Sequence, residues 1–106
     1  MTEYIQIVTT VESENDAEKI AELLVGRRLA ACVQIAGPVT SRFWWDGKIN
    51  TAEEYQVIIK SRNDLFSEIE SVITDAHPYD VPEIQATSIL AGGKGYLNWL
   101  SEELKK

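Results

Sequence analysis

The chain has 106 residues, of which 44% are hydrophobic and 25% charged, and these values predict a single folded domain spanning residues 1–106. Seventeen acidic residues against ten basic ones give a formal net charge of −7. A field of this sign repels phosphate backbones and anionic membrane surfaces, so the composition disfavours nucleic acids and membranes as partners.

The cysteine content and the hydropathy pattern bear on the compartment. Cys32 is the only cysteine, so one chain can form no intramolecular disulfide and no CxxC-type zinc site. No apolar run approaches the about 20 residues that a membrane span requires. The N-terminus begins with strand-like residues instead of a basic, apolar leader. We therefore predict a cytoplasmic protein.

The first two predicted elements are a strand and a helix. Residues Tyr4 to Val11 are rich in β-branched side chains and alternate in their first half, which predicts a strand. Ser13 stands three residues before Asp16, as in a capping box with Asp in place of Glu. The apolar spacing that follows predicts a helix from Glu14 to Arg28, with arginine side chains in its last turn.

Two long segments, Ala30 to Trp45 and Lys48 to Arg62, flank the pair Asp46-Gly47 and carry many β-branched and aromatic residues. Because Asp-Gly tolerates the positive φ angles of a type I′ turn, the two segments are predicted to form one antiparallel hairpin. Gly37-Pro38 interrupts the first arm, since proline cannot donate to a ladder and glycine permits a bulge. We expect the arm to bend there or to cross a sheet edge.

The second half of the chain predicts a helix, a strand and a final helix. Asn63 is placed to cap a helix that ends at Ala76, since the residue preceding a proline avoids the helical conformation. Glu83 to Ala91 predict a fourth strand, and an amphipathic helix follows from Lys94. The order βαββαβ with one extra helix is the split βαβ plan of ferredoxin-like domains, an α+β fold with two helices on one face of an antiparallel sheet.

The predicted hairpin is too long for its own domain. Its sixteen-residue first arm spans about 50 Å when straight, whereas a globule of this length is about 35 Å across. Either the arm folds over at Gly37-Pro38, or its tip projects and carries Phe43, Trp44 and Trp45 into a neighbouring subunit. We favour the projecting arm and a closed cyclic assembly. The alternative places these aromatic residues on the sheet of their own chain as ordinary core.

Few residues are candidates for chemistry. His77 is the only histidine, so one chain cannot build a closed metal site. One interpretation makes His77 a capping or hydrogen-bonding residue at a helix end. The other places one imidazole per subunit beside Glu54, Glu83 or the Cys32 thiol in a cleft between subunits, a mixed donor set that suits copper or zinc. Cys32 can equally be a small buried hydrophobic residue.

No nucleophile with an adjacent base is visible, and the sequence therefore predicts no catalytic residue and no enzyme. Lys60 follows an apolar run near the end of its predicted strand. Its side chain can extend to solvent, pair with an acid or receive an anionic ligand.

Five motifs in order resemble those of the CutA divalent-cation-tolerance family over nearly the whole chain: Leu29-Ala30-Ala31-Cys32-Val33, Ser41-x-Phe43-x-Trp45-x-Gly47-Lys48-Ile49, Glu54 with Lys60, His77-Pro78-Tyr79-x-x-Pro82-Glu83-Ile84, and Tyr96-Leu97-x-Trp99-Leu100. The resemblance implies a ferredoxin-like subunit similar to the PII signalling proteins, assembled as a homotrimer through its long strands. It also implies a role linked to copper and other divalent ions, without an established enzymatic activity. We expect the trimer interface to include Phe43, Trp44, Trp45 and Tyr79.

Four positions depart from the family pattern. Phe43 stands where family members usually have tyrosine, and Gln34 where asparagine is frequent. Some copper-binding bacterial members have a cysteine at the position of Thr9 and a histidine at the position of Ala76, which leaves His77 alone of that set. We therefore expect copper or another divalent cation to bind only weakly.

Three functions follow as hypotheses. The first is a non-enzymatic, homotrimeric metal-binding or metal-response protein with His77 as the leading ligand and Cys32, Glu54 and Glu83 as helpers. The second is a PII-like trimer that binds a small anionic ligand between subunits and reports it to a protein partner, with contacts from Lys60, Arg62 and Lys94. The third is an interaction scaffold. We rank them in this order.

Overall fold

A computed structural model describes residues 3–106 and contains the predicted order of elements. The chain forms four strands, three α-helices and one short 3₁₀ turn: β1 (Tyr4–Val11), α1 (Glu14–Gly26), β2 (Cys32–Trp45), β3 (Lys48–Arg62), the 3₁₀ turn (Asn63–Leu65), α2 (Phe66–Ala76), β4 (Gln85–Ser88) and α3 (Lys94–Glu103). The α+β plan βαββαβ with a C-terminal helix is therefore confirmed.

The strands form one antiparallel sheet in the order β2-β3-β1-β4. Alternate residues of the two central strands are fully buried, as period-two side-chain alternation requires when one face is covered. In the register, Ile7 lies opposite Ile59 and Thr9 opposite Val57. These side chains belong to a core that also includes buried residues of all three helices: Ile20, Leu24, Ile69, Ile73 and Leu100.

The first helix begins as predicted and ends two residues earlier than predicted. Ser13 Oγ accepts a hydrogen bond from the Asp16 amide at 3.0 Å, which confirms the cap. Arg28 has a φ angle of 58°, and the amide of Leu29 donates to the Leu24 carbonyl at 2.9 Å. This left-handed reversal directs Leu29 into the core, so Arg28 lies outside the last helical turn and donates to Glu103 instead.

Two boundaries in the second half also differ from the sequence predictions. The Asn63 side chain makes no capping bond, because a 3₁₀ turn precedes α2 and the Asn63 amide donates to the Glu3 carbonyl. The fourth strand covers only Gln85–Ser88 instead of Glu83 to Ala91. At the N-terminal end the register would place Glu83 opposite Thr10, whose carbonyl oxygen is instead bonded to the His77 side chain, and the ladder does not extend to Glu83.

The hairpin has the predicted turn and bulge. Asp46 and Gly47 have φ angles of 54° and 74°, as a type I′ turn requires, and the β2–β3 register shifts between Ala36 and Val39. At the bulge the backbones approach closely, since a Cβ on Gly37 would lie 3.0 Å from the Glu54 carbonyl oxygen and 3.1 Å from Tyr55 Cα.

The hairpin projects from the rest of the molecule. The molecule measures 44 × 25 × 22 Å, and Trp44 and Trp45 are 71% and 56% exposed. The alternative, in which these aromatic residues form core on their own sheet, is wrong. Among residues 3–106, no helix has the length and hydropathy to cross a membrane.

A buried hydroxyl group provides a test of the core. Thr9 is fully buried, and its Oγ1 has no hydrogen-bond partner among residues 3–106. Valine keeps the shape without the unsatisfied hydroxyl, so Thr9→Val should raise the free energy of unfolding by about 1 kcal/mol. Urea unfolding at fixed protein concentration measures this difference. Thr40→Val, at an exposed position of β2, is the matched control, and a destabilised Thr9→Val protein would contradict the buried, unpaired hydroxyl.

Candidate functional site

A cleft of about 630 Å³ lies between the hairpin, the end of β1 and the loop of residues 77–83. Four carboxylates, three aromatic rings and one cation line it together with small and apolar residues. The charged and aromatic members are Glu12, Glu54, Asp80, Glu83, Phe43, Trp45, Tyr79 and Arg42. The structure thus brings together several residues that were predicted separately as metal ligands and as interface residues.

The centre of the cleft is a hydrogen bond between Tyr79 and Glu54. The Tyr79 hydroxyl donates to Glu54 Oε2 at 2.7 Å, and Glu54 is only 7% exposed. Burial, followed by this hydrogen bond and the Glu54 charge, raises the pKa of Tyr79, so the phenol keeps its proton. Because a buried carboxylate needs hydrogen-bond donors, this bond stabilises both Glu54 and the loop that carries Tyr79.

His77 connects the same loop to β1. Its Nδ1 accepts a hydrogen bond from the Tyr79 amide at 3.1 Å, and its Nε2 lies 2.9 Å from the Thr10 carbonyl oxygen. Since a carbonyl only accepts, Nε2 carries the ring proton and the imidazole is neutral. Burial lowers the pKa of His77, against smaller opposing effects of the Thr10 carbonyl and the Asp16 and Glu54 carboxylates.

These two hydrogen bonds limit the capacity of His77 to bind a metal ion. Both ring nitrogens are in hydrogen bonds, so the ring has no free lone pair for a metal ion unless the bond to the Tyr79 amide breaks. Within the chain, His77 therefore acts as a hydrogen-bonding residue, which is the first of the two interpretations.

Cys32 lies apart from the cleft. It faces Lys60 on β3, whereas Thr10, the partner of His77, faces Gln56. Gln56 and Lys60 are four positions apart along β3, which corresponds to about 13 Å. Within residues 3–106, no three His, Cys, Asp or Glu side chains converge to hold a metal ion. The predicted ligands Glu54 and Glu83 share the cleft, and Cys32 does not join them.

The basic residues considered for an anionic ligand do not form the cleft either. Lys60 donates to Gln34 at 3.3 Å, and Arg62 pairs with Asp64 at 2.7 Å and donates to the Lys105 carbonyl. Arg62 thus has a structural role at the end of β3. The anion-binding hypothesis is therefore not favoured.

Sequence reasoning missed three charged residues of the cleft, Glu12, Arg42 and Asp80. A signal existed for Glu12, which directly follows β1 and therefore meets the loop that precedes β4, since the two strands are antiparallel neighbours. Arg42 carries no such signal, because only the hairpin register determines what it faces.

The fold and cleft define a small ferredoxin-like protein with an acidic, aromatic-walled cleft. Residues 5–103 match the family model described as CutA1 divalent ion tolerance protein. The chain is 40% identical over 99 residues to the divalent-cation tolerance protein CutA of Archaeoglobus fulgidus, covering 93% of this chain and 96% of that protein. The chain belongs to the CutA1 family, which confirms the resemblance seen in its motifs.

Solved structures agree with this assignment. The CutA1 structure from Oryza sativa has a TM-score of 0.96 at 33% identity, covering 99% of this chain and 96% of that one. The structure of the protein from Thermus thermophilus, named a divalent cation tolerance protein, has a TM-score of 0.93 at 37% identity, covering 96% and 99%. A structure from Archaeoglobus fulgidus, described as a periplasmic divalent cation tolerance protein, has a TM-score of 0.93 at 39% identity with the same coverage.

The buried imidazole makes stability depend on pH. In the unfolded chain His77 takes up a proton near pH 6.5, whereas the folded pKa is lower and the ring stays neutral. The unfolded state therefore binds more protons as the pH falls below about 6.5, and the free energy of unfolding should decrease from pH 7.5 to 5.5.

Urea unfolding at several pH values, at one protein concentration, measures this dependence. His77→Gln, which keeps a donor and an acceptor but does not titrate, should show a flatter profile in the same window even if it is less stable overall. Equal slopes for the two proteins would contradict the neutral, buried ring.

Proposed function

We propose that this protein acts in tolerance of divalent cations, as a non-enzymatic homotrimer whose acidic cleft is the cation-binding region. The observation that supports this most is the gathering of four carboxylates, including the buried Glu54, around one cleft. The names of the related CutA proteins support the link to divalent cations. Both nitrogens of His77 hold the loop, so this imidazole is not available as a general base in the arrangement seen.

The carboxylate donors in the cleft favour weak binding of divalent cations. We propose Glu54 and Glu83 as the ligands from one subunit, with neighbouring subunits completing the site. Carboxylates are hard donors, so this set does not favour copper over other divalent cations. His77 joins such a site only by giving up its bond to the Tyr79 amide, and Cys32 only at a separate position between subunits. Copper binding is therefore proposed to be weak.

Calorimetric titration of Cu²⁺ and Zn²⁺ into the purified protein tests this proposal. Glu54→Gln should weaken binding by about tenfold, because one buried negative charge is lost. Glu22→Gln, on the exposed surface of α1, is the matched control and should bind as the unaltered protein does. Glu83→Gln, at an exposed position, tests the same cleft without risk to the core. Identical affinities in all four proteins would refute the assignment to this cleft.

The trimer is proposed on the exposed apolar surface of the hairpin. Phe43, Trp44 and Trp45 are 41%, 71% and 56% exposed in the subunit, a large aromatic area for a protein of this size. We propose that these residues and Tyr79 lie at the interface between subunits. The open face of the sheet, opposite the helices, would be covered in the same assembly.

Sedimentation equilibrium at micromolar concentration should give a species of three times the monomer mass. Trp45→Ala should weaken the assembly by at least about tenfold, because large buried aromatic residues dominate interface energies. Val25→Ala, at an exposed position of α1, is the matched control and should leave the mass unchanged. A monomer mass for the unaltered protein, or equal association of Trp45→Ala, would contradict this interface.

We propose a cytoplasmic location on the basis of the single, unpaired Cys32. The related protein of Archaeoglobus fulgidus is described as periplasmic, so membership of the family does not by itself fix the cellular compartment. Fractionation of cells that express the untagged chain, with a periplasmic and a cytoplasmic marker protein, answers it.

A further inference from the structure

A second groove lies between α1 and α2, on the helical side of the molecule. Its volume is about 210 Å³, and its lining residues are Lys19, Leu23 and Arg27 from α1 and its C-terminal cap, and Val72, Asp75 and Ala76 from α2. It shares no lining residue with the acidic cleft. The surfaces proposed to meet other subunits are the hairpin, Tyr79 and the open face of the sheet. The groove lies on the opposite side, where the helices cover the sheet, and is therefore accessible in the assembly.

The floor of the groove is apolar. Val72 is buried, and Leu23 and Ala76 are half-buried against the core. The volume is below the about 300 Å³ at which sites for small organic ligands begin. A groove of this size suits the apolar anchor side chain of a protein segment better than a whole cofactor.

The charges of the two helices are sorted between this groove and the rest of their surface. Together, α1 with its cap residue and α2 carry seven acidic residues, and only Asp75 of these lines the groove. The same segments carry two cations, Lys19 and Arg27, and both line it. Among residues 3–106 neither of these side chains forms an ion pair. A chain of net charge −7 thus presents a local surplus of positive charge here.

The positive charges lie at the two ends of the apolar floor. Lys19, Leu23 and Arg27 follow one another at intervals of four residues, so they lie along one side of α1. The eight residues from Lys19 to Arg27 correspond to about 12 Å along the axis. A second helix with a carboxylate, an apolar side chain and a carboxylate at the same spacing is complementary to this row in both charge and hydropathy.

We propose that the groove between α1 and α2 docks an acidic amphipathic helix of a partner protein. An apolar side chain of that helix packs on Leu23 and Val72, and its carboxylates pair with Lys19 and Arg27. The single acidic side chain of the lining, Asp75, opposes the binding. The inference depends neither on metal binding nor on the number of subunits.

Three synthetic helical peptides of about sixteen residues test the required chemistry. The first carries glutamate, leucine and glutamate at intervals of four residues on an alanine- and glutamine-rich background. The second has lysine in place of both glutamates, and the third has alanine in place of the leucine. Each is titrated into the ¹⁵N-labelled intact protein, and the amide chemical shifts are followed by NMR spectroscopy.

We expect the first peptide to cause saturable shifts that centre on α1 and α2 at up to millimolar concentration. The leucine-free peptide should bind at least about threefold more weakly, and the lysine peptide should show no saturable binding. Equal shifts with the lysine peptide, or no saturable shift of α1 and α2 with the first peptide, overturn the proposal.

Variants with opposite expected effects locate the contact. Lys19→Gln and Arg27→Gln should each weaken binding of the first peptide about threefold, and Asp75→Asn should tighten it by a similar factor. All three positions are exposed, so the substitutions leave the core intact. Lys94→Gln, at an exposed position of α3, changes the net charge equally and is the matched control. If it weakens binding as much as Arg27→Gln does, the attraction belongs to the net charge and the assignment is wrong.

A second copy of this chain is the alternative occupant. Light scattering over a wide range of protein concentration distinguishes it from a separate partner. A mass that is constant and equal to that of the assembly supports the proposal. A mass that rises with concentration in the unaltered protein but not in Arg27→Gln assigns the groove to contacts between copies and overturns the proposal.

Discussion

The position of the 77–83 loop on the sheet depends on one buried histidine. The His77 ring donates to the Thr10 carbonyl and accepts from the Tyr79 amide, and Tyr79 in turn donates to Glu54. These bonds seat the loop against the end of β1 and form one wall of the acidic cleft. They also use the carbonyl that a longer β4 would need. The bonds that form this wall thus also set the N-terminal end of the fourth strand.

The hairpin has a second role in the same architecture. Its bulge at Gly37 and its type I′ turn belong to a long, aromatic arm that projects from the rest of the molecule, and residues along that arm form the opposite wall of the cleft. One wall of the cleft and the projecting aromatic surface therefore belong to the same hairpin.

Local patterns made most of the fold predictable. The Ser13 cap, the Asp46-Gly47 turn and the Gly37-Pro38 interruption depend on short-range chemistry, and each was confirmed. The errors occurred at element boundaries that are set by contacts between residues far apart in the chain. Arg28 leaves the helix because Leu29 enters the core, and β4 does not extend back to Glu83, opposite which the Thr10 carbonyl is bonded to His77.

The sequence by itself determined the order of elements, the family and the residue types available for a site, because periodicity and turn chemistry are local properties. Only the tertiary structure decided which of those residues meet. It placed Cys32 at a different level of the sheet from His77, used both nitrogens of that histidine in hydrogen bonds, and brought Arg42 and Glu12 into the cleft with Glu54. Strand register and loop seating set these distances, and both arise from contacts between residues far apart in the chain.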